Sequence, residues 1–168
     1  MTNEFIVVAI DPGHTGAFVL YDGKDHFQWW PMPIIKEGKN TSVVFALVHE
    51  MLTDIRQKYK GAHVYLERAM PMAMGSKHAF NYGRDFAALE IAIRLVGLPV
   101  TYVEPAKWGR VMHEGISTDL KPKAKSLMAF KRLFPKLDQS MPRNKNGNLL
   151  DGPVDALLIA AYAFRGER

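Results

Sequence analysis

The sequence predicts one α/β domain with a five-stranded mixed sheet flanked by helices. Within the first 31 residues, short apolar runs separated by turn residues are typical of an antiparallel meander. Farther along, apolar strand-like runs alternate with segments of helical periodicity, which favours parallel strands joined by crossover helices. The chain of 168 residues is long enough for one substantial core and has no internal repeat or clear linker. We therefore expect residues 1–168 to form a single domain.

The predicted meander consists of three strands. Residues 5–10 form an apolar run, residues 17–21 form a second, and residues 26–30 form a third that ends at nearby prolines. A turn signal at residues 22–25 joins the second strand to the third. Residues 34–40 are predicted to be a polar loop.

A helix is predicted from residue 41 or 42 to about residue 59, because apolar residues recur there at helical spacing. Thr41 or Ser42 is its expected N-cap. The next predicted strand, residues 63–67, should pair in parallel with the first strand, since the helix crosses between them. The remaining predictions are a loop at 69–79, an apolar helix at 80–96, a fifth strand at 100–103, helices at 106–113, 121–133 and 153–164, and a mobile loop at 135–149.

The composition excludes several classes of protein. The chain is 48% hydrophobic and 23% charged, which is ordinary for a globular domain. It contains no cysteine, so disulfides, thiolate catalysis and thiolate zinc sites are excluded. The first four residues carry no positive charge, and no apolar stretch approaches the roughly 20 residues of a membrane span. We expect a cytoplasmic protein without a signal peptide and without a membrane partner.

Four acidic residues lie at the edges of apolar segments. Asp11 follows the first strand, Glu67 ends the parallel strand, and Asp151 and Asp155 flank the start of the last helix. Carboxylates near a core are costly unless they are paired or bind a metal, and hard cations such as Mg²⁺ prefer oxygen ligands. The net charge of +5 adds a basic surface around these acids, which fits a polyanionic substrate.

Each acid also has an ordinary structural explanation. Asp11 is a turn former before Pro-Gly, Glu67 has Arg68 as a neighbouring partner, Asp151 suits an N-cap, and Asp155 suits the first turn of a helix. The basic charge is likewise compatible with a merely soluble basic protein. The individual positions leave both readings open.

Taken in order, three motifs give a more specific signal, and the set resembles the RuvC-like Holliday junction resolvases of the RNase H-like superfamily. The chain is most similar to phage-encoded members and to plant chloroplast resolvases. The motifs are Ile10-Asp11-Pro12-Gly13-His14-Thr15-Gly16, Leu66-Glu67-Arg68, and the run from Asp151-Gly152-Pro153-Val154-Asp155 to Tyr162.

The resemblance implies an RNase H-like fold, a homodimer, and two Mg²⁺ or Mn²⁺ ions per active site. It implies a crossover junction endodeoxyribonuclease that resolves four-way DNA junctions by paired symmetric nicks, in a bacterial host cytoplasm if the protein is phage-encoded. Asp11, Glu67 and Asp155 match the first, second and last acids of the family. Asp151 matches the third position, where the spacing to the last acid is one residue longer than in the bacterial enzymes.

Basic residues and one methionine-rich loop are the predicted DNA contacts. In the resembled family, basic residues after the fifth strand contact phosphate near the active site, and the loop after the second acid probes the junction centre. The predicted contacts are Lys107, Arg110, Lys121, Lys123, Lys125, Met72, Lys77, Arg143 and Lys145. A solvated helix face and methionines packed on the neighbouring helix are the alternatives.

The helix predicted at 80–96 is apolar on more than one face, which predicts a second burial, plausibly a dimer interface. Trp29, Trp30 and Trp108 are expected to pack in the core or at its rim. His14 is either a bystander of the first turn or an aid to proton transfer.

Three other functions fit parts of the pattern. An RNase H-like nuclease acting on branched DNA or on RNA–DNA hybrids would share the acids. A non-catalytic junction-binding protein would share the fold, although the four intact acids argue against it. An actin- or hexokinase-like phosphate-binding protein shares an Asp-Gly turn after its first strand, but it needs two lobes and a longer chain.

Overall fold

The computed structural model of the chain describes residues 5–24, 26–68 and 75–166. The strands are β1 (Ile6–Ile10), β2 (Ala17–Tyr21), β3 (Phe27–Pro31), β4 (Ile34–Glu37), β5 (Asn40–Val43), β6 (Ala62–Glu67) and β7 (Val100–Val103). The helices are α1 (Phe45–Lys58), α2 (Ser76–Val96), α3 (Pro105–Met112), α4 (Pro122–Leu133) and α5 (Asp151–Gly166).

The predicted five-stranded mixed sheet is confirmed, with the strand order β3-β2-β1-β6-β7. The first three strands pair antiparallel, as the apolar runs and the turn signal predict. β1 and β6 pair in parallel with Ile10 opposite Leu66, and β7 adds in parallel to β6. This register places Asp11 and Glu67 each one residue past a paired position, at the same edge of the sheet.

Helices cover both faces of this sheet. Because successive strand residues point to opposite faces, β1 contributes Val7 and Ala9 to one core and Val8 and Ile10 to the other. The first core includes side chains from α3, α4 and α5, among them Trp108, Phe130 and Leu157. The second core includes side chains from α1 and α2, among them Leu52 and Leu89.

The prediction of a loop at 34–40 is wrong. β4 and β5 form a separate two-stranded hairpin whose turn contains Gly38 at a φ of 61°. Its strands are short and largely exposed, so they lack the apolar alternation by which a strand is recognised in a sequence. The N-cap prediction also fails, because Thr41 and Ser42 pair within this hairpin and α1 begins at Phe45.

Three further boundaries differ from the prediction. α2 begins at Ser76, four residues before the predicted start, and the part of the preceding loop at 69–74 lies outside the described residues. α5 begins at Asp151 rather than at residue 153. The segment 135–149 is mostly irregular, as expected, but buried Met141 and Leu149 anchor it to the core.

No helix among residues 5–24, 26–68 and 75–166 has the length and apolar character that crossing a bilayer requires.

Candidate active site

Two of the four predicted acids meet at the carboxyl edge of the sheet. Asp11 leaves β1 through a tight turn in which the Gly13 N–H donates to Asp11 Oδ1 at 3.2 Å. Glu67 is the last residue of β6, the strand beside it. The carboxyl ends of parallel strands are the usual ligand edge of such sheets.

The start of α5 brings the other two acids to this edge. Gly152 lies so close to the first turn that a Cβ there would be 2.2 Å from the Thr15 carbonyl oxygen. A Cβ on Gly16 would be 2.1 Å from the Asp11 carbonyl oxygen. Only glycine allows these approaches. The contact packs the first turn of α5 against the Asp11 turn, and this explains the glycine in the Asp151-Gly152 pair, which the sequence analysis left unexplained.

The four carboxylates interact electrostatically. Charge repulsion links Asp11 to Asp151, Glu67 to Asp11 and Asp155, and Asp155 to Asp11 and Asp151. Asp151 and Asp155 are four residues apart on α5 and therefore share one helix face. The structure thus brings together all four acids that the motifs predict.

Burial and repulsion raise the pKa of three of these carboxyls. Burial is the largest cause for Asp11, for Glu67, whose pKa rises to about 7, and for Asp155, whose pKa rises to about 6. Lys123, whose Nζ lies 2.6 Å from Asp151 Oδ2, partly offsets the rise at Asp11 and Asp155. Strongly raised carboxyl pKa values in one cluster are typical of functional sites.

The donor set fits a hard divalent cation. Asp155 Oδ1 is buried without a hydrogen-bond partner from the protein, although the Ser126 hydroxyl lies beside this carboxylate and lowers its pKa. An unpaired buried carboxylate oxygen is costly, and a cation bound by oxygen ligands removes that cost. In the described part of the chain, no three acidic or histidine side chains are already arranged around a single point as metal ligands.

Trp108 has a role that the sequence analysis missed. It is buried, as predicted for a core residue, but its Nε1–H also donates to Glu67 Oε1 at 2.8 Å. The indole therefore holds one oxygen of Glu67 in place and favours the ionised carboxylate. No sequence motif indicates this bond, because the two residues are 41 positions apart and meet only through the packing of α3.

Replacing Trp108 with phenylalanine should raise the pKa of Glu67 further above its usual range. The ring volume is largely kept, while the charge-assisted hydrogen bond, which is worth about 1.5–3 kcal/mol, is lost. The pKa can be followed by NMR titration of the Glu67 carboxyl carbon. Trp29→Phe on β3 is the matched control and should leave that titration unchanged. An unchanged pKa in Trp108→Phe would show that the indole does not support the carboxylate.

Several predicted DNA contacts surround the acids. Arg110, Lys123 and Lys125 line a cavity of about 430 Å³ that also includes Glu67 and Asp155. Lys121 is the residue before α4, on the same segment. Lys107 forms an ion pair with Glu104 at 2.9 Å, so its charge is partly satisfied within the protein.

The other predicted contacts lie on different segments. Arg143 pairs with Asp138 at 3.0 Å and donates to the Gly147 carbonyl, so it stabilises its own loop. Lys145 is exposed in the same loop. Lys77 is exposed in the first turn of α2, and Met72 lies outside the described residues.

Comparison with known proteins identifies the fold. No family model matches the sequence, and no curated protein matches it. The chain is similar to the structure of Thermus thermophilus RuvC in complex with a Holliday junction substrate, with a TM-score of 0.60 and 17% identity over 97% of this chain and 95% of that chain. A second Thermus thermophilus RuvC structure gives a TM-score of 0.59 and 16% identity over 97% of this chain and 96% of that chain. The predicted RNase H-like fold of the RuvC type is therefore confirmed.

Proposed function

We propose that this protein is a metal-dependent endonuclease that resolves four-way DNA junctions by paired symmetric nicks. The observation that carries the proposal is the cluster of four carboxylates at the sheet edge, three of them with raised pKa values. The similarity to a RuvC structure that contains a Holliday junction supports the choice of substrate. At this identity the similarity alone establishes only the fold, so the activity rests on the site.

In this proposal Asp11, Glu67, Asp151 and Asp155 hold two Mg²⁺ or Mn²⁺ ions. When bound, such ions supply an activated water and stabilise the charge that develops on the leaving 3′ oxygen. Trp108 orients Glu67 toward the ions, and the unpaired Oδ1 of Asp155 is a ready ligand atom. Lys123 neutralises part of the acidic charge from the open side of the site, through its bond to Asp151.

The basic residues around the cavity are the proposed phosphate contacts. Arg110, Lys121 and Lys125 lie on α3 and on the segment leading into α4, beside the acids, and Lys107 lies on α3 as well. Cationic side chains next to a carboxylate cluster attract the DNA backbone that the acids alone would repel. Arg143, Lys145, Lys77 and Met72 remain proposed contacts farther from the acids.

A homodimer is the proposed assembly, with α2 at its interface. Phe80, Ile91 and Leu95 are 73%, 50% and 65% exposed and share one face of α2. The opposite face carries Leu89 and Ile93, which are fully buried on the sheet. An exposed apolar stripe on a helix that is already packed marks an interaction surface. Two copies joined here would supply the two sites that paired nicks require.

Substituting Ile91 with glutamate should convert the dimer to a monomer, because a charge would be buried against an apolar partner face. The monomer should lose paired nicking by at least about tenfold, since each junction needs two sites. Sedimentation equilibrium measures the assembly. Met128→Glu, which also replaces an exposed apolar side chain but on α4, is the control and should stay dimeric. A dimeric Ile91→Glu protein would place the interface elsewhere.

The activity is tested with labelled synthetic substrates, with and without Mg²⁺. The proposal predicts nicks in a four-way junction only when metal is present, and none in a linear duplex of the same sequence. Cleavage of an RNA–DNA hybrid or of linear duplex would keep the metal site and replace the substrate. Tight junction binding without cleavage in Mg²⁺ or Mn²⁺ would identify a binding protein instead of an enzyme.

A further inference from the structure

A second cavity, of about 450 Å³, adjoins the Asp11 turn. It is bounded by that turn, by the β4–β5 hairpin and by the first half of α2. Its lining residues include Gly13, His14, Lys39, Lys77, His78 and Asp85. This volume lies within the usual range of ligand sites and is large enough for a nucleotide. The cavity shares Gly13 with the turn that carries Asp11, so whatever enters it lies next to the proposed active site.

Asp85 forms the fixed floor of this cavity. It is only 5% exposed, and its Oδ2 lies 2.6 Å from His14 Nε2. Its Oδ1 accepts from Arg84 Nε and Nη2 at 3.1 and 3.0 Å and from the Val43 N–H at 3.2 Å. One buried carboxylate thus joins the Asp11 turn, the hairpin and α2. Such a junction fixes the three walls of the cavity relative to the active site.

The described lining of the cavity favours an anion. Lys39 and Lys77 are exposed at its rim, together with His78. Asp85 is the acidic group among its lining residues, and Arg84 and His14 already satisfy its oxygens. Asn40 and Asn81 add neutral donors. A pocket with uncompensated lysines and amide donors is suited to phosphate, which accepts hydrogen bonds and carries negative charge.

We propose that this cavity binds a backbone phosphate of the DNA strand that passes through the active site, next to the phosphate that is cut. This inference rests on the proposed nuclease function. Lys39 and Lys77 contact the phosphate from the hairpin and from α2. Asp85 and His14 are positioning residues, because they hold both lysine-bearing elements against the turn that carries Asp11. The site would thereby set which phosphate of the strand reaches the carboxylates.

The double substitution Lys39→Gln and Lys77→Gln tests the inference. Both lysines are exposed, so the fold should be kept. Binding of a fluorescent four-way junction and of a 12-nucleotide single strand is measured by anisotropy over a series of salt concentrations, without divalent metal. For the junction, the slope of log K against log salt should fall by about one per lysine, so by about two in the double variant. Lys60→Gln, at the opposite edge of the sheet, is the control and should keep the wild-type slope.

A second measurement locates the contact. Single phosphates around the cut position are replaced one at a time by neutral methylphosphonates. One replacement should weaken binding to the wild type and have no further effect on the double variant. Equal weakening in both proteins at every position, or an unchanged salt slope, would overturn the inference.

The two proposals fail separately in these experiments. If the wild type nicks junctions but the double variant keeps its salt slope, the cavity inference is wrong and the nuclease function stands. If the wild type nicks no junction but the lysines still lower the slope for the single strand, the nuclease function is wrong and the phosphate site stands. If the wild type binds neither DNA, both are wrong.

Discussion

Asp11→Asn should lower junction cleavage by at least about a hundredfold while changing junction affinity by no more than about twofold. Loss of groups that only support metal ligands already costs 10- to 100-fold in activity, so loss of a ligand should cost more. The amide is nearly the same size as the carboxylate and still accepts the Gly13 N–H bond. The fold and the basic surface should therefore be unchanged.

The experiment pairs single-turnover cleavage with junction binding in the same buffer. Asp54→Asn, an exposed acid on α1, is the matched control and should cleave at the wild-type rate. Cleavage by Asp11→Asn at that rate would remove Asp11 from the site. A parallel loss of binding and cleavage would show that Asp11 acts on DNA affinity instead of on chemistry.

Glu67→Gln should abolish cleavage and, in metal-free buffer, make the protein more stable at pH 8. The pKa of Glu67 is about 7 in the folded protein against 4.5 for an ordinary glutamate. The folded state therefore holds this proton more tightly than the unfolded state, and the stability falls as the pH rises from about 4.5 through about 7. A difference of this size corresponds to roughly 3 kcal/mol at pH 8. The neutral amide escapes this cost and can still accept the bond from Trp108.

Urea unfolding in EDTA at pH 5 and pH 8 measures this effect. The gain in unfolding free energy should be small at pH 5 and about 2–3 kcal/mol at pH 8. Glu104→Gln, an exposed acid after β7, is the control and should show no such pH-dependent gain. Mg²⁺ should stabilise the wild type more than Glu67→Gln. A destabilised Glu67→Gln protein at pH 8 would contradict the electrostatic account of the site.

The fold was predictable where burial leaves a pattern in the sequence. β1, β2 and β6 are apolar runs because both faces of the sheet are covered by helices. The β4–β5 hairpin was missed because its exposed strands need no apolar residues. The parallel pairing of β1 and β6 followed from the intervening helix, and it placed Asp11 beside Glu67 before any coordinates were considered.

The candidate site was predictable only in its acids. Asp11, Glu67, Asp151 and Asp155 stand at the ends of recognisable elements, and their spacing indicates a shared edge. Their supporting contacts are long-range and leave no local pattern. Trp108 on Glu67 and Asp85 on His14 each join residues more than 40 positions apart.

One predicted basic residue has a second role that the sequence did not reveal. Lys123 was expected only to contact DNA, yet its Nζ lies 2.6 Å from Asp151. A charge run in a sequence does not say which of its members turn inward to an acid, because that choice depends on how α4 packs beside α5. The roles of the remaining basic residues on DNA stay predictions.

The most direct test of the central claim is the position of the nicks on a four-way junction with a fixed centre. Each of the four strands is labelled in turn, and the wild type is incubated with Mg²⁺ and sampled within one turnover. The account predicts two nicks at symmetric positions on two opposing strands of like polarity, and none without metal or in Asp11→Asn. Nicks scattered over all four strands, or nicks that persist in Asp11→Asn, would contradict it.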